Sequence, residues 1–137
     1  MSFTGSLTAQ LRYTVPGPGV AAPSFVVSNV VYTASNAGFI DVLAATADAH
    51  EYEIPFGAVD EVKGILVQNN TTQQLNVRLN GAVADEYSIP PGGLFIPLFG
   101  TTASLDEPLT AISLVTTEIV DADGTIAYVV LGDDPTP

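Results

Sequence analysis

Residues 62 to 99, VKGILVQNNTTQQLNVRLNGAVADEYSIPPGGLFIPLF, constrain the fold of this chain more than any other stretch. Short apolar runs at Gly64 to Val67, Leu75 to Leu79, Tyr87 to Ile89 and Leu94 to Phe99 are separated by Asn69-Asn70, Asn80-Gly81 and Pro90-Pro91-Gly92-Gly93. Asn-Gly and Pro-Gly pairs supply the backbone angles that tight reversals need, so consecutive β-strands are expected here. Only Ala44 to Ala49 has a helix-friendly composition, and it is too short for more than a turn or a single helical turn.

The same pattern extends to both ends. Phe3 to Val15 alternates Phe3, Gly5, Leu7, Ala9, Leu11, Tyr13 and Val15 with polar residues, the mark of a half-buried strand. Thirteen residues is long for one strand, so residues 1–15 serve either as the first strand of the chain's own sheet or as an arm onto a neighbouring subunit. Residues 16–23, PGPGVAAP, form a Pro/Gly loop. Ser24 to Thr33 and Gly38 to Leu43 read as a hairpin around Ser35-Asn36-Ala37-Gly38, and Ala44 to Ala49 as a loop. His50 to Ile54 places His50, Tyr52 and Ile54 on one face and Glu51 and Glu53 on the other, with Pro55 ending the strand. Leu109 to Thr117 is a further strand, and Asp121-Ala122-Asp123-Gly124 a hairpin turn. Thr125 to Leu131 is apolar on both faces, which requires a central strand or one at a subunit contact. Residues 132–137 are an acidic, proline-ended tail.

Nine or ten short strands at near-regular spacing define an all-β chain: one antiparallel β-sandwich, jelly-roll-like, over residues 24–131 with an extended N-terminal strand or arm. The chain has 137 residues and no cysteine, so packing rather than disulfides must stabilise it, and thiolate metal sites are impossible.

Charge narrows the functional classes. Three basic residues stand against fifteen acidic ones, for a net charge of −12, so nucleic acid and anionic membrane surfaces are not expected partners. Charged residues are only 13% of the chain, about half the usual share. Either other chains cover part of the surface, or Thr, Ser and Asn wet it in their place.

Few residues could do chemistry. His50 is the single histidine and no G-x-S-x-G elbow accompanies it, so it reads as a strand-face residue without a catalytic role. Glu51 and Glu53 share a face, as paired carboxylates in glycosidases do, but solvated strand charges fit equally well. Asp121 to Gly124 resembles a calcium loop superficially, with its glycine too early and no downstream bidentate glutamate. Asn69-Asn70-Thr71 and Asn70-Thr71-Thr72 satisfy the glycosylation pattern, yet turn formation explains them better. No enzyme activity and no cofactor are expected.

The cadence ILVQNNTTQQLNVRLNG (Ile65 to Gly81), YSIPPGGLFIPL (Tyr87 to Leu98) and LTAISLVTT (Leu109 to Thr117) resembles small β-sandwich virion proteins of tailed bacteriophages. The resemblance covers about half the chain. It implies an accessory structural protein of the virion exterior, assembled in the host cytoplasm: a capsid decoration (cement) protein or head spike, often a homotrimer seated on the major capsid protein. On that reading Phe3, Leu7, Leu11 and Tyr13 are arm contacts, and Phe95, Phe99, Tyr128 and Val130 core or interface anchors. The alternative is a carbohydrate- or receptor-binding β-sandwich of a phage tail or spike, which would need exposed tyrosines clustered in a groove.

Overall fold

The computed structural model describes residues 2–10, 24–97 and 109–134. Ten strands are present among them: β1 Phe3–Gln10, β2 Ser24–Tyr32, β3 Ala34–Val42, β4 Glu51–Glu53, β5 Glu61–Asn70, β6 Leu75–Leu79, β7 Tyr87–Ile89, β8 Leu94–Phe95, β9 Ile112–Thr116 and β10 Gly124–Asp133. Every pairing is antiparallel, and the described residues contain no helix. The all-β sandwich expected from the sequence is the observed architecture.

The first sheet has the order β3-β10-β5-β8, and the second β4-β9-β6-β7. The pairs β3/β10, β4/β9, β5/β8 and β6/β7 are nested, so the chain runs out along one side of a long ribbon and returns along the other. Rolling that ribbon brings β10 against β5 and β9 against β6, which completes the two sheets. Their facing sides form one core. Val42, Ile65, Val67, Ile126 and Val130 from the first sheet meet Leu75, Val77, Ile89, Ile112 and Leu114 from the second, all essentially without solvent contact. Burial of each such side chain contributes about 1.5–3 kcal/mol relative to exposure.

Asn69 ties this winding together. It is fully buried at the end of β5, where its Nδ2 donates to the carbonyls of Gln73 (2.7 Å) and Ile89 (2.9 Å). Its Oδ1 accepts from the Thr71 amide (3.0 Å) and hydroxyl (2.6 Å). The Asn69 backbone bonds Gly92 and Gly93, inside the Pro90–Gly93 reversal. There Gly93 donates to Pro90, with Pro91 at the second turn position and Gly92 at φ +75°, as a type II turn demands. One residue thus joins β5, the Thr71–Gln73 bend and β7 through its side chain, and the crossing to β8 through its backbone. The sequence reading placed a turn at Asn69-Asn70; both residues instead belong to β5, and the bend starts at Thr71.

Other expectations are corrected. Ser35-Asn36-Ala37-Gly38 is not a turn but the interior of β3, and β2 pairs with β1 rather than β3. The turn-like residues have strand roles. Asn36 Nδ2 donates to the Pro55 carbonyl (2.7 Å), and a Cβ on Gly38 would lie 2.8 Å from the Tyr128 hydroxyl oxygen, so only glycine leaves Tyr128 its place. Asp121 to Gly124 is not a hairpin turn, because β9 and β10 lie in different sheets. Asp123 Oδ1 accepts from the Ala44 amide (2.8 Å), and Asp121 accepts from the Thr72 hydroxyl. These carboxylates hold loops. Gly132 and Asp133, read as the start of the tail, are the last residues of β10.

β1 and β2 form a two-stranded ribbon paired to neither sheet. Residues 24–32, assigned by the sequence to the sandwich, belong to this ribbon. The extended N-terminal strand expected from the sequence is present as β1, over Phe3–Gln10, and its partner is β2 of the same chain rather than a strand of either sheet; residues 11–15 and the loop at 16–23 lie outside the described residues.

Candidate functional site

Strand parity divides the first sheet. Ile40, Val42, Ile126, Tyr128, Val130, Ile65, Val67 and Phe95 pack into or against the core. Alternate residues must then point the other way. In register, Phe39 stands opposite Ala127, Ala127 opposite Gln68, and Gln68 opposite Leu94, making one row across all four strands. A second row is Ala37, Val129 and Leu66, and a third Ser35, Leu131 and Gly64. Phe39 is 73% exposed, Leu94 54% and Val129 37%. None of these positions is charged. Charges stand only at the ends, with Asp41 at one and Glu61, Lys63 and Asp133 at the other.

The outer face of the second sheet is built differently. Asn76 Nδ2 donates to Asp85 (2.9 Å), Arg78 Nε donates to the other Asp85 oxygen (2.9 Å), and the Ser88 hydroxyl donates to Asn76 Oδ1 (2.9 Å). Glu51 and Glu53 are exposed on the same face, opposite Val115 and Ser113. The hydrogen bond from Arg78 is the foremost reason that the Asp85 carboxyl sits below the ordinary carboxylate range. This face has its polar groups matched among themselves and ready for water.

At the ribbon's root, Lys63 Nζ donates to the Val31 carbonyl (2.6 Å) and pairs with Asp133 (2.8 Å). Asp133 Oδ1 also accepts from the Thr33 amide (3.1 Å) and hydroxyl (3.2 Å). The Lys63 hydrogen bond, more than any other cause, lowers the Asp133 carboxyl below its ordinary range. Thr33 is the one residue between β2 and β3, so this cluster fixes the ribbon to the sandwich.

The predicted contact residues separate into groups. Phe3 is 49% exposed on β1, its ring 5.6 Å from that of Tyr32. Leu7 stands opposite Val27 in the ribbon's register. Leu11, Tyr13 and Phe99 lie outside the described residues. Phe95 is half-buried against the core, 5.3 Å from the exposed Tyr87 ring. Tyr128 is half-buried over Gly38, and Val130 is wholly inside the core, so Val130 is an anchor of the fold and not a contact surface. Sequence reasoning missed Phe39, Leu66, Leu94, Ala127, Val129 and Leu131. Their signal was the double-sided apolar character of Thr125 to Leu131: β10 is central, and on its outward side Val129 is exposed and Ala127 and Leu131 are half-buried.

His50 is exposed, with its ring edge-on to Tyr52 at 4.6 Å. Among the described residues no group of three or more His, Asp or Glu side chains is placed to hold a metal ion. Comparison with protein-family models, with curated proteins and with solved structures found no match.

Proposed function

We propose that this chain is a non-enzymatic structural protein of a tailed-phage virion, a capsid decoration protein that seats on the major capsid protein as a homo-oligomer, with a trimer the expected form. The observation that carries the reading is the uncharged, apolar outer face of the β3-β10-β5-β8 sheet, on a chain whose net charge is −12. A bare sheet face of this kind is stabilised when another surface removes it from water. The nested strand order, read as a jelly-roll winding, supports a rigid building block, with short edges at β4, β7 and β8 and one long edge at β3. The mechanism is mechanical: each seated copy adds contact area across joints of a shell and resists their separation.

The test is co-sedimentation of purified protein with empty phage heads that lack accessory proteins, together with the thermal stability of those heads. Saturable binding and a raised melting temperature are expected; heads that neither bind the chain nor gain stability would remove the reading. One observation favours the glycan- or receptor-binding alternative. Exposed Tyr87 and half-buried Phe95 line a concavity with Leu79, Leu94, Ile96, Pro97 and Leu109. Its lining is almost wholly apolar, whereas sugar recognition needs convergent polar groups beside the rings. Binding on a glycan array, lost on Tyr87→Ala, would select that alternative.

A further inference from the structure

We infer that the outer face of the β3-β10-β5-β8 sheet receives the β1–β2 ribbon of a second copy of this chain. This deepens the reading of that face as an interface and does not depend on the virion assignment.

The ribbon needs a support that its own chain does not give it through strand pairing. β1 pairs only with β2, and β2 only with β1. A two-stranded antiparallel ribbon alone in water is at best marginally stable. Its base lies against β5 and β10, rooted by Thr33, Lys63 and Asp133. Phe39 and Leu94 remain 73% and 54% exposed, so the chain's own ribbon leaves the opposite row of the face uncovered.

Charge selects the occupant. Two copies at −12 each repel unless their contact excludes the acidic groups. Neither FTGSLTAQ nor SFVVSNVVY contains a charged residue, and neither do the three rows of the sheet face. Ribbon on face is thus a neutral contact that leaves the carboxylates at the rims. The dimensions agree: strands of 8 and 9 residues in the ribbon match the 9 and 10 residues of β3 and β10. Passed from copy to copy, such a contact is heterologous and gives a ring where its rotation closes and a filament where it does not, whereas mutual exchange between two copies gives a twofold dimer.

The chain contains no cysteine, so single-cysteine variants report the contact directly. Full-length Leu7→Cys, in the middle of the ribbon, and Val129→Cys chains are mixed under mild oxidation, and light scattering follows the unmodified chain over a range of concentrations. The expected result is association, with the mixed Leu7–Val129 disulfide exceeding the Val129–Val129 disulfide at least about tenfold. Leu94→Asp, and separately Val129→Asp, should abolish association while leaving the β circular-dichroism spectrum intact. A chain monomeric at every concentration would overturn the inference, as would Val129→Cys chains that link to each other as readily as to Leu7→Cys. Association retained by a folded Leu94→Asp chain would overturn it too. Self-association without binding to empty heads would keep the ribbon contact and discard the decoration role.

Discussion

The two outer faces of the sandwich have the same backbone geometry and opposite chemistry. On the second sheet Asn76, Arg78, Asp85 and Ser88 satisfy one another, while on the first Phe39, Leu94 and Val129 are exposed and Ala127 and Leu66 half-buried, with no charge among them. Both faces cover the same core, so core packing cannot account for the difference. A sheet needs only one apolar side to fold; a second apolar side reports a further contact. The contrast is what the proposed contact rests on, and it makes the outer face of the first sheet the surface to test.

The largest effect should come from the interior that holds both faces in place. Asn69→Ala removes four side-chain hydrogen bonds and leaves the Ile89 and Gln73 carbonyls and the Thr71 amide short of partners. A loss of about 2–4 kcal/mol is expected in denaturant unfolding. A loss within experimental scatter would mean that the crossing from β5 to β6 is held otherwise.

An acid placed on each face in turn separates them more sharply. Ala127→Asp, in the middle of the apolar rows, should weaken association by about 1.4 kcal/mol or more, a factor of ten, at little cost to monomer stability. Ser88→Asp on the polar face should leave association unchanged. Equal responses of the two variants would erase the distinction between the faces.

Lys63→Met tests the root of the ribbon. Partly exposed ion pairs contribute little, so global stability should fall by no more than about 1 kcal/mol, while hydrogen exchange of the β1 and β2 amides accelerates. The pH dependence has a defined sign. The Asp133 carboxyl is lowered in the folded chain, foremost by the Lys63 hydrogen bond, so its contribution is complete above the ordinary carboxylate range and is lost as pH falls through the lowered value. The stability difference between the native chain and Lys63→Met should therefore shrink on acidification below that range, as followed by thermal melts. A difference that grows in acid would assign Lys63 another role.

The smallest effect is expected for Arg78→Ala. It removes the main cause of the lowered Asp85 carboxyl in a partly exposed surface pair, so melting temperature at neutral pH should hardly move and association should be unaffected. A clear loss of association would bring the polar face into the interface.

Several elements were legible in the residues themselves. Pro90-Pro91-Gly92-Gly93 forms the reversal its composition demands, and His50 to Ile54 alternates as its side chains suggest, with Ile54 buried and Glu51 and Glu53 exposed. The apolar run Thr125 to Leu131 is indeed central. What failed were inferences that let local propensity stand for tertiary context. Ser35 to Gly38 has turn composition, but Tyr128 from β10 needs the space over Gly38, and Pro55 supplies an acceptor for Asn36. Asn69 looked like a turn residue because its side chain does build a turn, two residues downstream and from inside the core.

Alternation and turn chemistry act over a few residues, so the chain alone determined that it is all β, where most strands lie and which runs carry apolar side chains at both parities. Strand partners come from contacts between segments far apart in sequence. Only the tertiary structure could decide that β10 pairs with β3 and β5, that β1 and β2 stand apart as a ribbon, and that one outer face is left uncharged with Phe39 and Leu94 exposed on it. The burial of a side chain depends on what the rest of the chain places over it, and the fold leaves Phe39 73% exposed.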